Sequence, residues 1–122
     1  YPLEGHFVYK TDNGKITVVS VLYNYGDENQ ALKQIWDKMP QAANTETELS
    51  QVISLDEFYP EDKDYYNFEG SLTTPPCTEG VNWIVFKNQE TVSKEQVEKF
   101  TQTLGFENNR PIQDTNGRKI NE

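Results

Sequence analysis

The chain has 122 residues, a formal net charge of −9 and a sequence pI of about 4.6. Its length predicts one domain or part of one. The acidic balance excludes nucleic acid and anionic membrane surfaces as expected partners, because both attract basic patches. Six Phe, two Trp and seven Tyr residues supply core-forming bulk although hydrophobic residues make up only 34% of the chain. No apolar run is long enough to span a membrane, so no membrane partner is expected.

The first predicted strand covers residues 1–9, where side chains alternate between the two faces of an extended backbone. Glu4, His6 and Val8 share one face, so a carboxylate and the only histidine lie two residues apart. A carboxylate can hold one ring N–H of a histidine and leave the other nitrogen for a metal. The pair therefore suits a metal ligand, although a lone strand histidine is more often simply packed or exposed.

A hairpin is predicted next, because Asp12-Asn13-Gly14 accepts positive φ at low cost. The chain should return through a strand over residues 16–25. This segment is apolar along almost its whole length, which predicts burial on both faces of a sheet.

A helix should follow the hairpin, capped by Asp27 and stopped by Pro40. Its apolar residues recur at helical spacing and are interpreted as core: Leu32, Ile35, Trp36 and Met39. Residues 41–48 are predicted to form a polar loop and residues 51–55 a short strand. Residues 56–64 are predicted to form an acidic, solvated loop, with calcium binding as a weaker alternative.

Two more strands are predicted over residues 65–72 and 81–87. Alternation in the second of them places three apolar residues on one face: Val81, Trp83 and Val85. The capping box that begins at Ser93 predicts a second helix, which Gly105 should end.

A rigid corner is predicted between these strands, at Thr73-Thr74-Pro75-Pro76. Each proline lacks an N–H and restricts φ, so the two hydroxyls lie on a stiff ledge. The residues alone leave two readings open, a well-made turn and a ledge that orients a small polar reactant.

Cys77 is the only cysteine, so it is either a free thiol or half of a disulfide to another segment. Because the chain opens directly in strand-like sequence without Met, we expect it to be a piece of a longer protein.

Four stretches together resemble the α-class carbonic anhydrases, and the exported bacterial members in particular. They are residues 4–8 (EGHFV), 70–76 (GSLTTPP), 81–85 (VNWIV) and 109–111 (NRP). The resemblance implies a mainly β fold with peripheral helices, part of a large, mostly antiparallel central sheet. It also implies that residues 1–122 are the C-terminal segment of a single such domain, without its N-terminal segment.

Roles for individual residues follow from the same resemblance. His6 matches the third zinc-ligand histidine, and Glu4 matches the carboxylate that holds its ring and its tautomer. Thr73 matches the threonine that accepts a hydrogen bond from zinc-bound hydroxide, and Thr74 a neighbour that helps to bind bicarbonate. The apolar wall beside CO2 is matched by Val8, Val18, Leu72, Val81 and Trp83.

The function that the resemblance implies is the zinc-dependent, reversible hydration of CO2 to bicarbonate and a proton, the lyase reaction of carbonic anhydrase. The expected cofactor is Zn2+, and the expected partner is an N-terminal segment that supplies two further histidines, since this chain alone lacks a complete set of ligands. The resemblance further implies a periplasmic or secreted location and a disulfide from Cys77 to an upstream cysteine.

Two alternatives to this function stay open at the level of sequence. The chain could be a non-catalytic carbonic-anhydrase-like binding module, against which the joint presence of Glu4, His6 and Thr73 argues. It could also be an independent acidic, β-rich binding domain. A homodimer is a further partner, because unpaired sheet edges invite association.

Overall fold

The computed structural model describes residues 1–122 and contains five strands, two α-helices and one short 3-10 helix. The strands are β1 Leu3–Lys10, β2 Ile16–Tyr25, β3 Tyr65–Ser71, β4 Glu79–Phe86 and β5 Glu90–Val92. The α-helices are α1 Gln30–Trp36 and α2 Lys94–Leu104, and the 3-10 helix spans Leu55–Phe58. Neither α-helix is long and apolar enough to cross a lipid bilayer.

The strands form one sheet in the order β1-β2-β4-β3, and β5 extends it by pairing with the end of β2. The pairs β1–β2 and β3–β4 are antiparallel, whereas β4 and β5 run parallel to β2. The expected mainly β fold with peripheral helices is confirmed, and the sheet of this chain is mixed.

Strand β2 is buried on both of its faces, as its apolar sequence predicts. Val18 and Ser20 are 1% and 0% exposed on one face, and Val21 and Tyr23 are both 0% exposed on the other. The larger core lies on the second face, under the helices, and consists of Val21, Tyr23, Ala31, Leu32, Phe58, Phe86 and Val92. The smaller core lies on the first face and consists of Val18, Val81 and Trp83. The alternation predicted for β4 is therefore confirmed.

The predicted cap of α1 is wrong, because Asn29 and not Asp27 caps this helix. The side chain of Asn29 accepts a hydrogen bond from the Leu32 N–H at 3.0 Å. The side-chain amide of Asn29 also donates to the Thr91 carbonyl at 3.0 Å. The Gln96 side chain accepts from the backbone N–H of Asn29 and donates to its backbone carbonyl, both at 2.9 Å. Distant partners therefore select the cap, which local sequence alone does not reveal.

The predicted extent of α1 is also too long. The helix ends at Trp36, so Met39 lies outside it, and Ile35 is 37% exposed instead of buried. Trp36 does pack against the larger core, where its ring stacks on Phe100 of α2 at 5.6 Å. The apolar side of α1 is therefore packed at Trp36, which is the last residue of the helix.

Residues 51–55 do not form the predicted strand. Val52 is 99% exposed, and Phe58 of the following 3-10 helix fills the larger core at 3% exposure. β5, which was not predicted, is only three residues long and is stabilised by its pairing with β2. Both differences arise because short segments form strands only where a neighbouring edge supplies hydrogen bonds.

The second helix follows its sequence signals closely. Ser93 and Gln96 form the reciprocal capping box, and Gly105 ends the helix at a φ of 81°. The hairpin turn is likewise confirmed, with Gly14 at a φ of 83° and its N–H bonded to the Thr11 carbonyl at 2.9 Å. These local signals need no distant partner, which explains why they were predictable.

Gly70 provides a test of packing between β3 and β4. A Cβ at this position would lie 2.9 Å from Trp83 Cδ1, so we expect Gly70→Ala to lower the free energy of unfolding by about 1–3 kcal/mol. Urea denaturation followed by tryptophan fluorescence measures this loss. In the control Gly5→Ala, the new Cβ would meet Tyr23 Cε2 at 3.3 Å, and a change below about 1 kcal/mol is expected. Equal losses in the two variants would contradict the close approach at Gly70.

Candidate metal and substrate site

The candidate site begins with a carboxylate and an imidazole on β1, the edge strand of the sheet. Alternation places Glu4 and His6 on the same face, where Glu4 Oε1 lies 3.0 Å from His6 Nε2. The predicted pair is therefore formed. With Nε2 turned toward the carboxylate, Nδ1 of His6 is left for another partner.

A second donor holds the same carboxylate. The hydroxyl of Ser20, on β2 directly opposite His6, donates to Glu4 Oε1 at 2.5 Å. The hydrogen bond from His6 is the largest cause that lowers the pKa of Glu4, and the bond from Ser20 acts in the same direction, while partial burial opposes both. Glu4 is thus an ionised acceptor that suits a donating histidine N–H.

The other side of the histidine ring is covered by Trp83 of β4. The two rings pack edge to face, with centroids 5.0 Å apart and planes at 82°. Trp83 also stacks on Phe68 of β3 and donates its Nε1–H to the Ser71 carbonyl at 3.0 Å. Trp83 therefore links His6 to the end of β3, immediately before the threonine ledge.

The ledge is a tight connection between β3 and β4. The Leu72 N–H donates to the Thr78 carbonyl at 2.9 Å, and the Cys77 N–H donates to the Thr74 carbonyl at 2.8 Å. Thr73 and Thr74 are both exposed, and neither hydroxyl bonds to another group of the chain. Their hydroxyls are therefore free for an external partner.

Arg110 braces this ledge from the C-terminal segment. Its Nη1 donates to Ser71 Oγ at 2.8 Å and to the Leu72 carbonyl at 3.5 Å. Nearby, Arg118 Nη1 donates to the Glu69 carbonyl at 2.8 Å. The end of β3 is thus held by two guanidinium groups, which explains how an exposed loop keeps a defined position beside Trp83.

Four of the five predicted apolar wall residues lie together on the site face of the sheet. Val18 and Val81 are each 1% exposed, Trp83 is 7% exposed, and Leu72 packs against this cluster. Val8 lies opposite Val18 in the β1–β2 pairing but is 61% exposed. Its exposure follows from the position of β1, which has no neighbour on its outer side.

His6 is the one imidazole that the chain could offer to a metal ion. Its Nε2 lies 3.0 Å from a carboxylate, a partner typical of metal-binding imidazoles, so the residue fits the role. Nowhere in the chain do three or more His, Cys, Asp or Glu side chains converge to hold a metal ion. Zinc takes about four ligands, three of them from protein in catalytic sites, so the chain by itself does not supply a full set.

Comparison with known proteins decides the family. Residues 6–122 match the family model of the eukaryotic-type carbonic anhydrases. The chain belongs to this family. It is 44% identical to a carbonic anhydrase of Neisseria gonorrhoeae over all of its own length and 48% of that protein. It thus spans about half the length of the curated carbonic anhydrases it matches.

Solved structures carry the same fold. The α-carbonic anhydrase of Thermovibrio ammonificans, in complex with the inhibitor sulfanilamide, matches 96% of this chain with a TM-score of 0.92 and 48% identity. The match covers 52% of that enzyme. Dioscorin complexed with ascorbate matches 96% of the chain and 51% of its own, with a TM-score of 0.82 and 33% identity.

Two residues of the site were not predicted from the sequence. Ser20 had one available signal, a polar residue inside an apolar strand, but its partner depends on the β1–β2 register. Arg110 belongs to a stretch that carried the family resemblance, yet nothing local indicates that it reaches Ser71, 39 residues away. Both contacts exist only in the folded chain, the first through strand register and the second through the return of the C-terminal segment to β3.

Removal of the arginine brace should loosen the ledge. We expect Arg110→Ala to speed hydrogen exchange of the Leu72 amide at least about tenfold, because hydrogen bonds from a charged donor contribute about 1.5–3 kcal/mol. Amide exchange followed by NMR measures this change. Lys119→Ala, at an exposed position of the same segment, is the control and should leave the rate unchanged. Undiminished protection in Arg110→Ala would show that the guanidinium does not hold the ledge.

Proposed function

We propose that the chain is the C-terminal segment of a carbonic anhydrase domain, which hydrates CO2 reversibly to bicarbonate and a proton once an upstream segment completes it. The observation that carries this proposal is the Glu4–His6 pair, which faces the buried apolar cluster at Trp83 in a member of the carbonic anhydrase family. A metal-binding imidazole beside an apolar surface is an arrangement that suits CO2 hydration.

His6 would hold the zinc ion through Nδ1, while Glu4 keeps the proton on Nε2. When bound, zinc supplies a Lewis acid that lowers the pKa of water to about 7, for which carbonic anhydrase is itself the standard example. The protein's own task at this position is to hold the imidazole in a fixed orientation, with Nε2 turned toward Glu4. Glu4 performs it with one hydrogen bond, and Trp83 limits rotation of the ring.

The substrate would lie against the apolar wall. Val18, Val81 and Trp83 exclude water from this face, and CO2 is small and apolar enough to prefer such a surface. Leu72 packs against this wall, and Val8 lies beside it on the edge strand, opposite Val18. Thr73 would accept a hydrogen bond from the attacking water-derived oxygen and so orient it, and the Thr74 hydroxyl would donate to bicarbonate.

The partner in this proposal is an upstream segment that supplies two further histidines. It is supported by the half-length match to relatives and by the single ligand that the chain itself offers. β1 has a free edge beside His6, where an additional strand would satisfy unpaired backbone groups. In an exported protein, periplasmic or secreted, Cys77 would pair with a cysteine of that segment.

The proposal is tested by zinc content and CO2 hydration of the chain, alone and mixed with an upstream segment that carries two histidines. We expect about one zinc per complex and hydration activity only in the mixture.

The match to dioscorin complexed with ascorbate favours a second candidate, a module that binds a small molecule without catalysis. Absence of zinc and activity in the mixture, with a stable complex, would favour this binding module.

Two substitutions separate metal binding from substrate orientation in the completed enzyme. We expect Thr73→Ala to lower kcat/KM at least about tenfold with zinc retained, because its hydroxyl orients the reactant and holds no metal. His6→Ala should weaken zinc binding by at least about 100-fold. Stopped-flow hydration and zinc titration measure the two effects, and Thr78→Ala on the same loop is the control. Full activity of Thr73→Ala, or tight zinc in His6→Ala, would refute the respective role.

A further inference from the structure

Ser20 is a polar residue in the middle of an apolar strand, within the run Val18-Val19-Ser20-Val21-Leu22. It is 0% exposed. A buried hydroxyl without a partner costs about 1–3 kcal/mol, so the identity of its partner is informative. That partner is Glu4 Oε1, to which the hydroxyl donates at 2.5 Å.

The oxygen that Ser20 bonds is the same atom that lies 3.0 Å from His6 Nε2. Ser20 and His6 are direct partners in the β1–β2 register, so the three side chains close a triangle across two strands. The Glu4 side chain is 42% exposed on an edge strand, and these two contacts are its only polar anchors within the chain. Without Ser20, the contact with His6 would be the one polar anchor left to keep the carboxylate from turning toward solvent.

We propose that Ser20 is a positioning residue, which acts through Glu4 to hold the His6 imidazole in its zinc-donating orientation. The zinc part of this inference rests on the proposed function. The hydrogen-bond part does not, because it concerns three side chains of this chain alone. Ser20 itself touches neither metal nor substrate in this arrangement.

The link between Ser20 and the histidine is tested by NMR on the 122-residue chain. His6 is the only histidine, so a long-range proton–nitrogen spectrum contains a single imidazole. We expect the Nε2 proton of His6 to exchange with solvent at least about tenfold faster in Ser20→Ala, and Ser20→Thr to restore slow exchange. The control Thr17→Val removes a hydroxyl of the same strand on the opposite face, where Thr17 accepts a bond from Asn82, and should not change the rate. An unchanged rate in Ser20→Ala would overturn the proposal.

A double-mutant cycle on zinc affinity in the completed enzyme separates positioning from a purely structural role. We expect Ser20→Ala to raise the zinc dissociation constant about tenfold, in the range for outer partners of metal ligands. The same substitution should have no further effect when Glu4 is already replaced by Ala. An equal effect in both backgrounds would overturn the proposal, since Ser20 would then act independently of Glu4. If the wild-type complex binds no zinc, the proposed function fails, while the NMR result still decides the role of Ser20.

Discussion

The double-sided burial of β2 is the constraint on which the rest of this structure depends. This strand pairs with β1, β4 and β5, and each of its faces contributes to a separate core. Val21 and Tyr23 anchor the helices on one face, while Val18 and Ser20 form the floor of the candidate site on the other. The candidate site is therefore built on the same buried strand that holds the two cores together.

The chemistry lies where this rigid strand meets a free edge. β1 carries Glu4 and His6 with no neighbour on its outer side, so the two polar groups stay accessible while β2 holds them from within. Trp83 then connects the histidine to the end of β3 through its bond to the Ser71 carbonyl. The Glu4–His6 pair and the apolar wall are in this way brought to one face of the sheet, and the threonine ledge directly follows the end of β3 that Trp83 holds.

Elements were predicted correctly where they depend on residues close in sequence, and wrongly where they depend on residues far apart in sequence. β2, the capping box at Ser93 and the stop at Gly105 were predicted correctly, because apolar patterning and local hydrogen bonds specify them. The cap of α1 was wrong because Asn29 is selected by partners more than 60 residues away. β5 was missed because three residues form a strand only beside an existing edge.

For the candidate site, the sequence by itself determined the shared face of Glu4 and His6, since alternation along a strand is a property of the backbone. It also determined the stiff Thr73–Pro76 corner, since proline restricts its own φ and its neighbour's. Only the tertiary structure decided that Ser20 and Arg110 serve these elements. Their contacts join segments separated by 16 and 39 residues, and such pairs are created by strand register and chain reversal, which no local pattern encodes.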